Sequence, residues 1–243
     1  MQRRSFLLAA ATAGLTRTVR AAVPSPAVFS SAVPTPRVPS PAVLELFTSE
    51  GCSSCPPADA LLGRLAGEPG VIALAWHVDY WNGLGWHDPF SSRLATQRQR
   101  SYAAQLRDEV YTPALVVNGT RMVVGSDAPA IRAAIDAAGD PGIPVSLHRT
   151  EDGVVAETGL AGRPVIALIA TYDPQRNTAV GAGENGGRQL MEYRIVRDAT
   201  ALGAWDGAAR QFTLPSLAPR RGAVLLLQTE DLRVIGAADL PAT

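Results

Sequence analysis

A chain of 243 residues, 47% of them hydrophobic, is long enough for one large domain or two ordinary ones. Its 22 basic and 22 acidic residues give a formal net charge of zero, so the chain has neither a basic surplus nor an acidic tail. This balance argues against nucleic-acid binding, and we expect no nucleic-acid partner.

The first 21 residues have the order of regions that a secretory signal has. Arg3 and Arg4 are followed by Ser-Phe-Leu, an Ala-rich apolar stretch runs to about Leu15, and residues 19–21 offer a cleavage site. The paired arginines are typical of a twin-arginine export signal. Because the apolar stretch is too short to span a bilayer, we predict a periplasmic or secreted bacterial protein with no membrane span after cleavage. The alternative is an uncleaved anchor.

Residues 22–41 are rich in Pro, Ser, Ala and Val, a composition that predicts an extended linker. From residue 42 onward, short apolar runs alternate with stretches of helical periodicity. The predicted elements are a strand at 43–47, a helix from 58, a strand at 71–76, a helix at 92–109, strands at 115–117 and 122–124 around an Asn118-Gly119 turn, and a helix capped by Ser126 or Asp127.

The pattern of hydrophobic residues changes after Pro144. Helical periodicity nearly disappears, and six to eight short β-like runs are separated by Gly and Pro, among them runs at 145–148, 154–158, 164–172, 190–196, 211–214 and 223–228. We therefore predict a first domain at 42–142 and a β-rich, sandwich-like C-terminal domain at 143–243. The Gly-rich stretch 181–187 lacks the Lys-Ser/Thr of a phosphate-binding loop, so we expect a flexible hairpin loop there.

Cys52 and Cys55 are the only cysteines, and they stand where a predicted strand, LELF, passes through a Gly turn into a predicted helix. Two cysteines are too few for a disulfide scaffold, and closing a four-residue loop removes little chain entropy. A helix N-terminus lowers the pKa of a thiol through its free N–H groups and the helix dipole. We therefore predict an exposed, attacking Cys52 at the helix start and a shielded, resolving Cys55 one turn on.

A second motif precedes the predicted hairpin, in the stretch VYTPALVVNG at 110–119. Thr112-Pro113 just before a strand is a typical place for a cis proline. A cis bond would turn the backbone of Thr112 toward the sulfurs, where it could pair with an extended substrate segment.

These motifs together resemble the thioredoxin fold over residues 42–140. The stretches LELFTSEGCSSCPPADALL, LAWHVDYWNGLGWHDPF and VYTPALVVNG, with the later GENGG, resemble the DUF1223 family of exported thioredoxin-like proteins. The resemblance implies an α/β thioredoxin-like domain with a helical and aromatic insertion. It makes Cys52 the nucleophile, Cys55 the resolving thiol and Thr112-Pro113 the substrate platform.

Two features depart from the thioredoxin pattern. Gly51 stands where a bulky aromatic residue is expected before the first cysteine. The resemblance also implies a buried carboxylate that moves protons for the second cysteine, and Glu45 is the candidate, one residue farther from the cysteine than expected. The alternative interpretation of Glu45 is an ordinary strand glutamate.

An aromatic segment at 76–90 holds three of the four tryptophans and two of the three histidines. It could wall the redox site, with His77 or Asp79 near the sulfurs, where a charged His77 would favour a thiolate. The alternative is a hydrophobic cap packed over the domain joint.

The leading hypothesis is a periplasmic thiol–disulfide oxidoreductase, with the Cys52–Cys55 disulfide as its redox group and no other cofactor. Its partners would be protein thiols or disulfides and an unknown redox partner. A second hypothesis is copper or zinc handling by Cys52, Cys55 and His77. A third is a non-catalytic binding module whose cysteine pair is merely a local disulfide.

Overall fold

The structure, a computed structural model, describes residues 40–243. The predicted signal peptide (1–21) and all but the end of the predicted linker (22–41) therefore lie outside the described residues. The helices are α1 (Pro56–Leu65), α2 (Arg93–Leu106) and α3 (Ala128–Ala138). The strands are β1 (Ala42–Thr48), β2 (Val71–His77), β3 (Ala114–Val117), β4 (Arg121–Val124), β5 (Val145–Thr150), β6 (Gly153–Thr158), β7 (Val165–Ala179), β8 (Gln189–Trp205), β9 (Arg210–Leu214), β10 (Gly222–Gln228) and β11 (Val234–Leu240).

The elements predicted for the first half of the described chain are confirmed to within a few residues. The Asn118-Gly119 turn joins β3 to β4 with φ values of 46° and 65°, the left-handed region that these two residue types tolerate best. Asp127 caps α3 by accepting a hydrogen bond from the Ala130 N–H at 3.0 Å. Local sequence signals therefore account for these elements.

One mixed sheet of eight strands holds most of the described structure, in the order β11-β10-β7-β8-β2-β1-β3-β4. Strand β1 runs parallel to β2 and antiparallel to β3. Strand β8 adds to the other edge of β2 in parallel, through the Ala75–Ile195 pair. Helices α1 and α3 pack on one face of β1, β2 and β3, and α2 packs on the other.

The predicted fold class, an α/β thioredoxin-like domain followed by a β-rich, sandwich-like domain, is wrong. Strands hold 43% of the described residues and helices only 17%. Four strands from the second half of the chain extend the sheet of the first half. The physical reason is the edge of β2, whose apolar sequence VIALAWH would lie open to solvent if β8 did not pack beside it and pair at Ala75–Ile195. The domain boundary near residue 143 stays a prediction about which parts fold independently.

Strands β7 and β8 are longer than predicted, because residues that normally end a strand are absorbed as irregularities. Pro174 lies within β7 at an exposed position between the paired residues Asp173 and Gln175, so its missing N–H leaves the pairing on either side intact. The strands continue past it as a long hairpin, which carries the 180–188 loop beyond the core of the sheet. A three-stranded sheet, β5-β6-β9, packs against the apolar residues of β7 and β10. In residues 40–243, no helix has both the length and the apolar character needed to cross a membrane.

Candidate functional site

Cys52 and Cys55 form a disulfide in the turn between β1 and α1, with their Cα atoms 5.4 Å apart. The turn is held by backbone hydrogen bonds, from the Cys52 N–H to the Ser49 carbonyl and from the Cys55 N–H to the Cys52 carbonyl, each 3.1 Å long. Both cysteines are fully buried, with 0% exposure. The prediction of an exposed Cys52 is therefore wrong, although Ser53 and Ser54 between the two are exposed.

Helix α1 does not begin at Cys52, where the thiol argument placed the helix start. Its first residue is Pro56, and Cys55 is the N-cap. Proline is favoured at this position because its fixed φ suits the first turn and its missing N–H would have had no helical partner. Cys52 therefore lies in the preceding turn rather than at the helix start.

The Thr112-Pro113 peptide bond is cis, as predicted. Trp81 connects this segment to the cysteine turn: its indole N–H donates to the Thr112 hydroxyl at 2.9 Å. A Cβ added at Gly51 would lie 3.2 Å from Trp81 Cβ, a tight contact, so a side chain before Cys52 would crowd Trp81. The departure from the thioredoxin pattern at Gly51 thus has a local steric reason.

Part of the aromatic segment lies at the cysteine turn. The Trp86 indole N–H donates to Glu50 Oε2 at 2.6 Å, and the Trp86 ring contacts Gly181 in the β7–β8 hairpin loop. Trp76, by contrast, is buried in β2, where the Arg98 guanidinium lies 5.1 Å from its ring centroid. Asp79 accepts from the Thr96 hydroxyl at 2.5 Å and so faces α2.

The Gly-rich hairpin loop at 180–188 contacts the cysteine turn directly. The Asn185 side-chain amide donates to the carbonyls of Glu50 and Cys52, each at 2.9 Å, and Asn185 is fully buried. Glu184 Oε2 accepts from the Ser53 N–H at 3.0 Å. Sequence reasoning treated this loop as a flexible connection and missed these contacts, because nothing in the local sequence shows that two segments about 130 residues apart meet.

Replacing Asn185 with Ala should make the disulfide easier to reduce. The carbonyls of Glu50 and Cys52 lose their shared hydrogen-bond donor. A loss of about 1 kcal/mol raises the fraction of molecules with a locally open cysteine turn about fivefold. The rate of reduction by dithiothreitol under native conditions measures this. Asn177→Ala, at an exposed position on β7 of the same hairpin, is the control. Equal rates for wild type and Asn185→Ala would show that the contact does not limit access.

Glu45 does not face the cysteines. It accepts from Arg98 Nε at 2.5 Å and from Arg98 Nη2 at 2.9 Å, and the Tyr102 hydroxyl donates to it at 2.5 Å. Neighbouring Leu44 and Leu46 pack with α1, so strand alternation puts Glu45 on the α2 face of the sheet. It is a buried ion-pair partner rather than an exposed strand glutamate, and its proposed role with protons stays a prediction.

His77 is fully buried at the end of β2 and pairs with Asp88. Its Nδ1 lies 2.7 Å from Asp88 Oδ2, and this carboxylate also accepts from the Glu50 N–H at 2.9 Å. Burial alone would lower the pKa of His77, but the charge and hydrogen bond of Asp88, together with the charges of Glu192 and Asp59, outweigh it and raise the pKa to about 9. Asp88 thus ties the histidine to the cysteine turn, and Nε2 of His77 has no hydrogen-bond partner among the described residues.

Two further buried carboxylates were missed by the sequence analysis. Burial raises the pKa of Asp59, in the first turn of α1, to about 6, and that of Glu192, in β8, to about 9. Asp59 falls in the apolar stripe of α1, and Glu192 follows buried Leu190 at the inward spacing of a strand. A charged residue in an apolar stripe was the signal that could have found both.

The three residues of the metal hypothesis are not grouped as a metal site. Among residues 40–243, no set of three His, Cys, Asp or Glu side chains is arranged to hold a metal ion. His77 instead uses one ring nitrogen for Asp88.

Fold and site together define a mostly-β protein in which a Cys-x-x-Cys disulfide lies beside a buried group of ionisable side chains. The chain belongs to the family described as "Protein of unknown function (DUF1223)", whose model matches residues 43–228. The resemblance seen in the sequence is confirmed at this level.

Two solved structures are similar to this chain. One is the X-ray crystal structure of a protein from Agrobacterium tumefaciens, with 31% sequence identity and a TM-score of 0.75 over 85% of this chain and 96% of that one. The other is HBP35 of Porphyromonas gingivalis, with 18% identity and a TM-score of 0.55 over 85% of this chain and 76% of that one, a likeness of fold alone. A search of curated proteins finds no significant match.

Proposed function

We propose that this protein is a thiol–disulfide oxidoreductase whose redox group is the Cys52–Cys55 pair. The observation that carries the proposal is the disulfide itself, which joins the only two cysteines of the chain next to buried groups that can exchange protons. A structural role explains this bond poorly, since a loop of four residues gains little from closure.

The exchange starts at Cys52. A thiolate of a partner attacks Cys52 Sγ, the Cys52–Cys55 bond breaks, and its electron pair stays on Cys55 as a thiolate that takes up a proton. A second thiolate of the partner then attacks the partner's sulfur in the mixed disulfide. The partner forms its own disulfide, and Cys52 leaves as a thiolate. The partner dithiol is oxidised and the Cys pair is reduced; the reverse sequence oxidises the pair. Cys52 is the entry point because the exposed Ser53 and Ser54 follow it, whereas Cys55 caps α1.

Attack requires the cysteine turn to open locally, because neither sulfur-bearing residue is exposed. The parts that must move are short: the 180–188 loop, held by Asn185 and Glu184, and the Trp86 contact to Glu50. Partners are therefore protein segments that can displace this loop. This favours protein thiols and disulfides over small thiols as substrates.

The compartment we propose is the bacterial periplasm or the exterior. A disulfide persists there and is reduced in the cytosol. The paired Arg3 and Arg4 with the apolar stretch behind them support export, and the twin-arginine route is the one that their spacing suggests.

The experiment is reduction of insulin disulfides by dithiothreitol, catalysed by the purified protein, with Cys52→Ser and Cys55→Ser as variants. We expect Cys52→Ser to abolish the activity and Cys55→Ser to accumulate mixed disulfides, because its Cys52 cannot be released from the partner. Ser54→Ala leaves both sulfurs in place and is the matched control. Equal turnover by wild type and the double cysteine variant would overturn the proposal in favour of a local disulfide in a binding module. Copper or zinc that copurifies in one-to-one amount only when both cysteines are present would favour metal handling.

A further inference from the structure

A cavity of about 380 Å³ lies between strands β7 and β8 of the large sheet and the 215–221 segment that joins β9 to β10. None of its lining residues belongs to the site described above. On its floor, Ile169 pairs with Thr200 and Thr171 pairs with Asp198 across the two strands. Alternate residues of a strand point to the same face, so these four side chains stand together. A cavity of this volume accommodates a small organic molecule.

Much of the cavity lining is apolar. Four side chains form this part: Ile169, Leu202, Leu214 and Leu217. Ile169 is buried, whereas the three leucines are half-buried and keep part of their apolar surface open. Because removing apolar surface from water is favourable, this part of the cavity suits a ligand with an apolar body. Along β8 the lining changes from Asp198 to Leu202, so the cavity has a charged and an apolar end.

The charged end holds two oxygen acceptors that the protein leaves unused. Thr171 Oγ1 is buried and has no hydrogen-bond partner among residues 40–243. Asp198 is exposed, and within the same residues its carboxylate forms no ion pair or side-chain hydrogen bond. Residues directly opposite each other on neighbouring strands have Cβ atoms about 5 Å apart, so Thr171 and Asp198 can bind one and the same group. An ammonium group, which only donates, satisfies both oxygens.

A cation lines the same cavity. Arg221 precedes β10, and its Nε lies 3.5 Å from Asp173 Oδ1. Asp173 also pairs with Arg176 at 2.9 Å and with Arg197 at 3.9 Å. One carboxylate thus faces three guanidinium groups, which leaves a local surplus of positive charge. The Arg221 side chain is 32% exposed, and a guanidinium in this position suits a carboxylate, which it can bind through two parallel hydrogen bonds.

We propose that this cavity binds a free α-amino acid with an apolar side chain. The carboxylate of the amino acid binds Arg221, its ammonium group donates to Asp198 and Thr171 Oγ1, and its side chain packs against the leucines. A fatty acid would bring its negative charge close to Asp198, and an alkylamine would leave the positive surplus at Arg221 unmatched. A zwitterion matches both charges. Binding requires no step at the cysteine pair, so the proposal does not depend on the proposed function.

The test is isothermal titration calorimetry of the purified protein with L-leucine and with L-phenylalanine at pH 7. We expect at least one of them to bind with a Kd of about 1 mM or lower, a usual affinity for a ligand of this size. N-acetyl-leucine lacks the ammonium group and leucinamide lacks the carboxylate. Each should bind at least about tenfold more weakly than leucine, since each loses a charged hydrogen-bonding group. Octanoate tests the fatty-acid alternative.

Two variants test the charged residues. Asp198→Asn and Arg221→Met should each weaken leucine binding by about tenfold or more. The matched controls remove exposed charges elsewhere: Asp136→Asn on α3 and Arg163→Met before β7 should bind leucine as wild type does. The comparison of leucine with its two analogues uses wild type alone, so it remains readable if a variant fails to fold.

Several results would overturn the proposal. These are no binding of either amino acid at about 10 mM, equal binding of leucine and both analogues, or unchanged leucine binding in both variants. Tighter binding of octanoate than of leucine would assign the cavity to fatty acids instead. A dimer in analytical ultracentrifugation that dissociates in Arg221→Met would assign the cavity to a second copy of the chain.

Discussion

Replacing Arg98 with Met should lower the free energy of unfolding by about 3–5 kcal/mol, the usual cost of leaving one partner of a buried ion pair alone. Arg98 holds the Glu45 carboxylate through two hydrogen bonds of 2.5 and 2.9 Å. Glu45 is 1% exposed and stands in β1, the strand that leads to the cysteine turn. Without Arg98, its charge is left uncompensated in the interior or has to be neutralised by a proton. Urea unfolding at pH 7 measures the loss.

The matched control lies on the same helix. Arg100 is exposed in α2, and Arg100→Met should change stability by less than about 0.5 kcal/mol. The double variant Glu45→Leu/Arg98→Met should recover most of the loss, because replacing both members of a buried pair by apolar residues is often neutral. A cost of less than about 1 kcal/mol for Arg98→Met alone would contradict the assignment of Glu45 as a buried ion.

The same double variant tests the predicted role of Glu45 at the site. If Glu45 serves only the ion pair with Arg98, the variant keeps insulin reduction once its fold is restored. If Glu45 moves protons for Cys55, the variant loses activity while remaining folded. Its place on the α2 face of the sheet leads us to expect retained activity.

The second large effect is a loss of stability with rising pH. The neighbouring carboxylates, Asp88 first among them, outweigh the lowering effect of burial and raise the folded pKa of His77 to about 9 from 6.5, whereas burial raises that of Glu192 to about 9 from 4.5. At a pH between the unfolded and the folded pKa of each group, the native state holds a proton that the unfolded chain has released. The stabilisation is complete below the unfolded pKa and disappears as pH rises through the folded one, at up to about 1.4 kcal/mol per pH unit for each group. Stability should therefore fall from about pH 4.5 to about pH 9, most steeply above about pH 6.5, where both groups contribute.

Glu192→Gln isolates one of these groups. The amide cannot ionise, so at pH 8 the variant should be more stable than wild type by up to about 5 kcal/mol, and the difference should shrink as pH falls toward 5. Glu151→Gln, at an exposed turn between β5 and β6, should leave the pH curve unchanged. Urea unfolding at pH 5, 6, 7 and 8 gives both curves. A variant that is less stable than wild type at every pH would contradict the raised pKa of Glu192.

The fold differs from the predicted one in which strands pair with each other. The apolar runs of β7, β8 and β10 predict strands, and those strands exist, but alternation within a run does not say which edge it joins. In the first half of the chain, the edge of β2 is left without a partner strand. This edge gives β8 a place to pair. The same strand pattern is therefore expected for a separate β-sandwich domain and for strands that extend the sheet of the first half.

The site divides in the same way. The sequence alone predicted three local features of the site: the pair Cys52 and Cys55, the cis bond at Thr112-Pro113 and the turn before α1. The burial of both cysteines, the contact of Asn185 with the cysteine turn and the burial of Glu192 depend on segments far apart in the chain.

The sequence by itself determined the short-range elements, the family and the chemistry available at the two sulfurs, because backbone preferences and spacing act over a few residues. Only the tertiary structure decided which carboxyl groups lose water and which loop lies on the disulfide. Desolvation and hydrogen bonding at the site are set by neighbours in space, and a strand of the second half, β8, supplies one of the decisive ones, Glu192.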